Sequence, residues 1–154
     1  MWNLVKDPKQ RNVLKNIHKI KGFKICFYED KRHTPPKLRP FLAFCINKTS
    51  YFFDAITTQF EARRNHHLNT NPKALGSLVE ICPEDTNGIL NELCLIDCNE
   101  NELMEIKDIV YSMGSDIFIV DDRDLPKETI ERIKVAIIES PHTSPDQKKF
   151  AKMQ

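Results

Sequence analysis

Two segments of the sequence put phosphate-binding side chains at the ends of neighbouring strands. Arg39 stands before Pro40 at the entrance to an apolar strand, and Thr57 stands at the exit of the next one. An antiparallel hairpin brings those ends to one edge, so we expect Arg39 and Thr57 to meet although 17 residues separate them. A guanidinium fork binds two phosphoryl oxygens and a hydroxyl adds a third contact, which predicts a phosphate site.

A phosphate site of this kind suits RNA cleavage, because RNA carries its own nucleophile. The protein needs to align the 2′-hydroxyl with the adjacent phosphorus and to stabilise the charge of the transition state. A guanidinium holds its protons in proteins, so Arg39 is predicted to act mainly through its charge, with donation to the leaving oxygen left open. Thr57 is predicted to position the phosphate. The proton acceptor stays open, with three candidates: His33, His66 and His67.

Polar and basic residues flank both segments, and we expect them to contact the RNA backbone. They are Lys31, Arg32, Lys37, Thr58, Gln59, Arg63 and Arg64. The aromatic run of the second strand is expected to fill the core, with base stacking by one ring as the alternative.

Charge is unevenly distributed along the chain. Residues 1–75 hold 15 Lys and Arg against 5 Asp and Glu, whereas the remaining residues hold 8 against 17. The net charge of +1 therefore conceals a half at +10 and a half at −9. Such segregation predicts a positive surface for a polyanion, unless the two halves interleave in space and cancel locally.

The spacing of apolar residues predicts an α+β domain of short antiparallel strands followed by one helix at residues 127–140. We expect the strands to curl into a small sheet or an SH3-like barrel. The strands are predicted at residues 23–28, 40–46, 51–58, 77–82 and 88–98, with a further short apolar run at 117–120.

Three further segments complete the predicted organisation. Residues 1–21 are expected to form a basic N-terminal helix that extends the domain of residues 22–140. Residues 59–76 are predicted to be a long polar loop within that domain. Residues 141–154, after the last helix, are predicted to form a loose polar tail.

The order of these motifs resembles the MazF/PemK family of toxin endoribonucleases over residues 23–140. Arg39-Pro40 opening one strand, and Ala55-Ile56-Thr57-Thr58-Gln59 closing its partner, carry the resemblance. Gly88-Ile89 before a later strand, the charged segment ending near Ile106 and the final helix follow in the family's order. The sequence departs from the family in lacking a Gly-Asp pair before the first strand, in its N-terminal helix and in the length of residues 59–76.

The resemblance implies a metal-independent endoribonuclease with Arg39 and Thr57 at its catalytic centre. Single-stranded RNA would be cut to a 2′,3′-cyclic phosphate and a free 5′-hydroxyl, with no cofactor. It also implies a homodimer and an acidic antitoxin protein as partners. Two alternatives stay open: a non-catalytic module that binds nucleic acid or inhibits a protein, as in the related gyrase poisons, and a nucleic-acid-binding domain that uses the N-terminal helix.

Cysteine usage and hydropathy indicate a cytoplasmic protein without membrane contact. The five cysteines are odd in number and lie in apolar segments, which is typical of reduced, buried thiols rather than a disulfide framework. No run approaches the roughly 18 apolar residues of a membrane span, and the first twenty residues contain no apolar secretion signal.

Overall fold

Six strands and five α-helices form along the residues that the computed structural model describes, which are 7–30, 35, 37–47, 49–113 and 117–154. The strands are β1 (Lys24–Asp30), β2 (Lys37–Cys45), β3 (Ser50–Thr57), β4 (Leu78–Ile81), β5 (Cys94–Glu105) and β6 (Phe118–Val120). The α-helices are α1 (Pro8–Ile17), α2 (Phe60–Thr70), α3 (Ile106–Met113), α4 (Lys127–Glu139) and α5 (Pro145–Lys152). Two short 3-10 helices, Pro72–Ser77 and Pro83–Thr86, flank β4.

The strands form one antiparallel sheet in the order β4-β5-β3-β2-β1-β6. The predicted α+β class and antiparallel hairpins are confirmed. The predicted barrel is not, because in the described part of the chain β4 and β6 lie at opposite edges of an open sheet. A small barrel fills its interior with its own side chains. Here both faces of the strands carry apolar side chains, so helices cover both faces instead.

Successive residues of the central strands enter two separate cores. Phe52 packs with Ile25 and Phe44 on one face, whereas Phe53 packs with Cys26 and Ala43 on the other. The first face is covered by α4 and α5, through Ile133, Ile137 and Ala151. The second face is covered by α1 and α3, through Leu14, Ile17 and Ile109.

Helix α1 is packed into the second core. The Asp7 side chain accepts a hydrogen bond from the backbone N–H of Lys9, and Pro8 occupies the first turn. Val13, Leu14 and Ile17 are then fully or almost fully buried, and the helix contacts α3 and β6. The division of the chain into an extension and a domain at residue 21 stays a prediction.

Two predictions of irregular structure were wrong. Residues 59–76 contain α2 and a 3-10 helix, and residues 141–154 contain α5. Helix α2 has no apolar stripe in its sequence, so no helical period could be recognised there. In the structure its only buried residue is His67. Helix α5 begins with a capping box: the backbone N–H of Gln147 donates to Ser144 Oγ, and the backbone N–H of Ser144 donates to Gln147 Oε1. The polar composition of the segment had instead suggested a loose tail.

All five cysteines are free, and three of them are buried: Cys26, Cys94 and Cys98. Burial raises the pKa of the Cys26 and Cys98 thiols, so both stay protonated and pack as small apolar groups. None of the helices described is both long enough and apolar enough to cross a bilayer.

Truncation of Leu14 tests whether α1 is integral to the fold. Leu14→Ala should lower the free energy of unfolding by about 2–4 kcal/mol, because it leaves a cavity between α1, α3 and the sheet. Lys15→Ala, at the adjacent exposed position, should change it by less than about 0.5 kcal/mol. Urea denaturation measures both; equal effects would mean that α1 does not contribute to the core.

Candidate functional site

Arg39 and Thr57 lie at the same end of adjacent strands. The β2–β3 ladder runs to the pair Phe41 and Ala55, and both residues stand two positions beyond it. Alternation places their side chains on the same face of the sheet. At this end Arg39 pairs with Tyr28 on β1, while Thr57 pairs with Leu95 on β5. Arg39 is exposed and Thr57 is half-buried, so a ligand at this edge reaches both.

The Thr57 hydroxyl adjoins the start of α2. Its Oγ1 accepts a hydrogen bond from the backbone N–H of Gln59 at 3.1 Å, and Gln59 is the N-cap of the helix. With its oxygen engaged as an acceptor, the hydroxyl has its own hydrogen available for a ligand oxygen. The positive end of the α2 dipole lies at the same edge. Thr58 and Gln59 are both exposed there.

Among the described residues, two of the three basic side chains predicted to contact RNA are paired with carboxylates. Lys37 is exposed on β2, whereas Lys31, Arg32 and His33 lie outside the described residues. Arg63 and Arg64 of α2 are engaged by carboxylates. Arg63 Nη1 lies 2.5 Å from Glu100 and 3.4 Å from Asp97, and Arg64 pairs with Glu80 and stacks over Phe60.

These pairs show that the two charged halves of the sequence interleave around α2. Cations from residues 1–75 meet anions from the second half at Arg63, at Arg64 and again at Lys24, which contacts Asp124 at 2.8 Å. In the part of the chain that the structure describes, Arg63 and Arg64 therefore add less positive charge to the candidate site than the sequence predicts.

A large bulge in β5 forms a second constellation that the sequence did not predict. Between the pairs Asp54–Asn101 and Ile56–Ile96, the single residue Ala55 of β3 faces residues 97–100 of β5. A bulge turns side chains out of the regular alternation. This one carries an Asp-Cys-Asn-Glu sequence beneath α2, so chemically active groups are concentrated at one point.

Buried hydrogen bonds hold the bulge. His67 Nε2 lies 2.8 Å from Asp97 Oδ2 and donates to it, while Asp97 Oδ1 accepts from the backbone and side-chain amides of Asn99, both at 3.0 Å. Asn99 Oδ1 in turn accepts from Ser140 Oγ at 2.7 Å. The tandem histidines thus divide: His67 is buried in this network, and His66 is exposed beside it.

Asp54 is the least satisfied group of the interior. It is fully buried, and neither of its carboxylate oxygens has a hydrogen-bond partner among the described residues. The Oδ1 of its cross-strand neighbour Asn101 is also buried and also has no hydrogen-bond partner among the described residues. Burial, and then the charge of Asp97, raises the pKa of Asp54 well above its usual range.

Three side chains of this constellation are suited to hold a metal ion. One ligand atom each from His67, Asp97 and Glu100 lies within 4.8 Å of the others. They join α2 to the β5 bulge, away from the strand ends where Arg39 and Thr57 lie. One feature of the sequence could have suggested this group of residues. Polar side chains interrupt an otherwise apolar strand at residues 97–101.

Replacement of the buried carboxylate tests its cost. A raised folded-state pKa means that Asp54 contributes stability below its ordinary pKa, which is lost as the pH rises through the folded-state value. Asp54→Asn should therefore raise the free energy of unfolding at pH 7 by about 1–3 kcal/mol, since the amide can also donate to Asn101. The gain should shrink toward about pH 4.

Thermal unfolding across this pH range measures the effect, with Asp122→Asn as a matched exposed control that should show little change. A gain that is absent, or that is independent of pH, would contradict a strained Asp54 carboxyl.

The resemblance to the toxin endoribonucleases has no support outside the sequence motifs. The chain matches no protein-family model, no curated protein and no solved structure at a significant level. Its family is therefore not assigned, and the function rests on the residues themselves.

Proposed function

We propose that the protein is a metal-independent endoribonuclease that cleaves single-stranded RNA by attack of a 2′-hydroxyl on the adjacent phosphorus. The observation that carries the proposal is the placement of Arg39 and Thr57 at one end, and on one face, of adjacent strands. The family resemblance of the motifs around them supports the same reaction.

Each of the two residues has a role in the transition state. The Arg39 guanidinium stabilises the charge that develops on the non-bridging oxygens, where a two-pronged donor is most effective. The Thr57 hydroxyl, oriented by the Gln59 N–H, donates to a phosphoryl oxygen and fixes the phosphorus in line with the attacking hydroxyl. The positive end of the α2 dipole favours an anion at this edge.

Proton transfer does not involve His67 directly. Its ring is 2% exposed and its Nε2 is bonded to Asp97, so RNA does not reach it. His66 is exposed on the same helix and remains a candidate for the proton acceptor, together with His33.

The RNA strand is proposed to follow exposed residues around this edge. Lys37, Thr58 and Gln59 are exposed and contact its backbone, and Lys31 and Arg32 extend the path in the proposal. Arg63 and Arg64 contribute less than the sequence suggests, because breaking their contacts with Glu100 and Glu80 opposes RNA binding. A cytoplasmic homodimer, inhibited by an acidic antitoxin protein, belongs to the same proposal.

A non-catalytic binding module is the second candidate. It is favoured by the pairing of Arg63 and Arg64 with carboxylates, and by an open sheet among the described residues in place of the predicted barrel. Such a module would bind nucleic acid, or inhibit a protein, without cleaving RNA.

Cleavage in the presence of EDTA tests the proposed enzyme. The purified full chain should cut a long single-stranded RNA at selected sites and leave 2′,3′-cyclic phosphate ends, because the reaction needs no metal. Thr57→Val removes the hydroxyl at nearly constant shape and should reduce the rate by about 100-fold or more. Thr57→Ser retains the hydroxyl and should retain most of the activity.

Arg39 is tested in parallel with a graded pair of variants. Arg39→Ala should abolish detectable cleavage. Arg39→Lys keeps the charge but loses the two-pronged donor, so its cleavage rate should lie between those of the wild type and Arg39→Ala. Circular dichroism confirms folding of each variant in EDTA.

RNA binding without cleavage by the wild type would support the binding module, and loss of binding in a Lys9, Lys15 and Lys19 alanine variant would assign the contact to the N-terminal helical region.

A further inference from the structure

We propose that His67, Asp97 and Glu100 form a binding site for a divalent transition metal between α2 and the β5 bulge. The site goes beyond the proposed RNA cleavage, which uses the strand ends and no metal. It joins a helix without an apolar face to the sheet, so its metal would hold α2 in place and take no part in the chemistry at Arg39 and Thr57.

The ligand atoms lie close to the spacing that a single ion requires, and a small movement of the 44% exposed Glu100 side chain completes the set. The three ligand atoms lie within 4.8 Å of one another, and His67 Nε2 is 2.8 Å from Asp97 Oδ2. With metal–ligand bonds of about 2.1 Å, neighbouring ligands on one ion are about 3 Å apart. One imidazole nitrogen and two carboxylates form a mixed donor set that suits ions such as Mn²⁺ and Zn²⁺.

The surrounding residues orient the Asp97 carboxylate toward this point. Asn99 donates twice to Oδ1, and Ser140 holds the Asn99 side chain. Oδ2 is thereby left to face His67 and Arg63. Hydrogen bonds that fix the unused oxygen of a carboxylate ligand are a regular feature of metal sites.

Asp54 supplies an independent indication of a missing positive charge. Its carboxyl group is fully buried beside the bulge, and neither oxygen has a hydrogen-bond partner among the described residues. A buried carboxylate is strongly unfavourable unless a cation or donors compensate it. Asp54, Asp97 and Glu100 thus place three carboxyl groups at the bulge, and among the described residues Arg63 contacts two of them, Asp97 and Glu100. A divalent ion at the proposed site compensates this excess.

Arg63 occupies the competing position. Its Nη1 contacts Asp97 and Glu100, while its side chain is 27% exposed and lies at the surface of α2. On metal binding the guanidinium turns to solvent, and the ion replaces it between the two carboxylates. The neutral His67 ring then carries its proton on Nδ1, which leaves Nε2 free to ligate the ion. Removal of Arg63 therefore distinguishes two interpretations of the cluster. If it is a metal site, the affinity for the ion increases; if it is only an ion-pair network, the network loses its cation and no ion takes its place.

Titration of the full chain with Mn²⁺ tests the site, after dialysis against EDTA and removal of the chelator. Mn²⁺ is the probe because it has little affinity for the neighbouring Cys98 thiol. Electron paramagnetic resonance counts bound ions through loss of the free-ion signal, and calorimetry gives the affinity. The wild type should bind one ion per chain and show a higher melting temperature with Mn²⁺ than with EDTA.

Variants at half-exposed positions keep the test independent of folding. Glu100→Gln should weaken Mn²⁺ binding at least tenfold, and Arg63→Met should strengthen it severalfold. Glu102→Gln, an exposed position on the same strand, should leave the affinity unchanged. The fully buried ligand is tested by Asp97→Asn, which should abolish binding.

Three results would each overturn the site: no saturable binding of one ion, an affinity that Glu100→Gln does not alter, or weaker binding in Arg63→Met. RNA cleavage in EDTA is measured separately, so either proposal can fail without the other.

Discussion

The bulge of β5 is the feature on which the rest of the structure depends. Elsewhere the sheet alternates regularly between two apolar cores, but residues 97–100 leave the ladder and carry Asp97 and Asn99 into the interior. Helix α2 has no apolar stripe, so its attachment comes from polar contacts to this bulge, through His67 and Arg63. Because Thr57 and Gln59 lead directly into α2, buried polar contacts determine where the candidate phosphate site begins.

Charged residues that are separated along the sequence come together in the folded protein. The basic and acidic halves meet across α2 and at Lys24, so three cations of the basic half are paired with carboxylates of the acidic half where elements pack together. The proposed interaction with RNA would therefore depend on a few exposed side chains with suitable geometry and less on a broad positive field. This makes the relative orientation of Arg39 and Thr57 more important than the overall charge of the surface around them.

The two sites have different chemical characters and different surroundings. The strand-end site is open to solvent and offers a guanidinium, a hydroxyl and helix amides, all of which stabilise an anion. The proposed bulge site is partly buried and places two carboxylates beside an imidazole, an arrangement that attracts a cation. Helix α2 connects them, with its first turn at one site and His67, two turns later, at the other. Binding at the bulge can therefore influence the strand ends through the position of one helix.

The sequence by itself determined the local structure that follows from simple periodicity. Most of the strands, helix α4 and the hairpin that relates Arg39 to Thr57 could be predicted, because alternation and turn residues act over a few positions. Helix α2 was missed because it carries no apolar stripe, and helix α5 because its polar composition was interpreted as a loose tail although it begins with a capping box. The open sheet, the bulge and the meeting of Asp54 with Asp97 were decided only by the tertiary structure. They depend on pairing between residues distant in sequence, where burial and register, and not local preference, set the free energy.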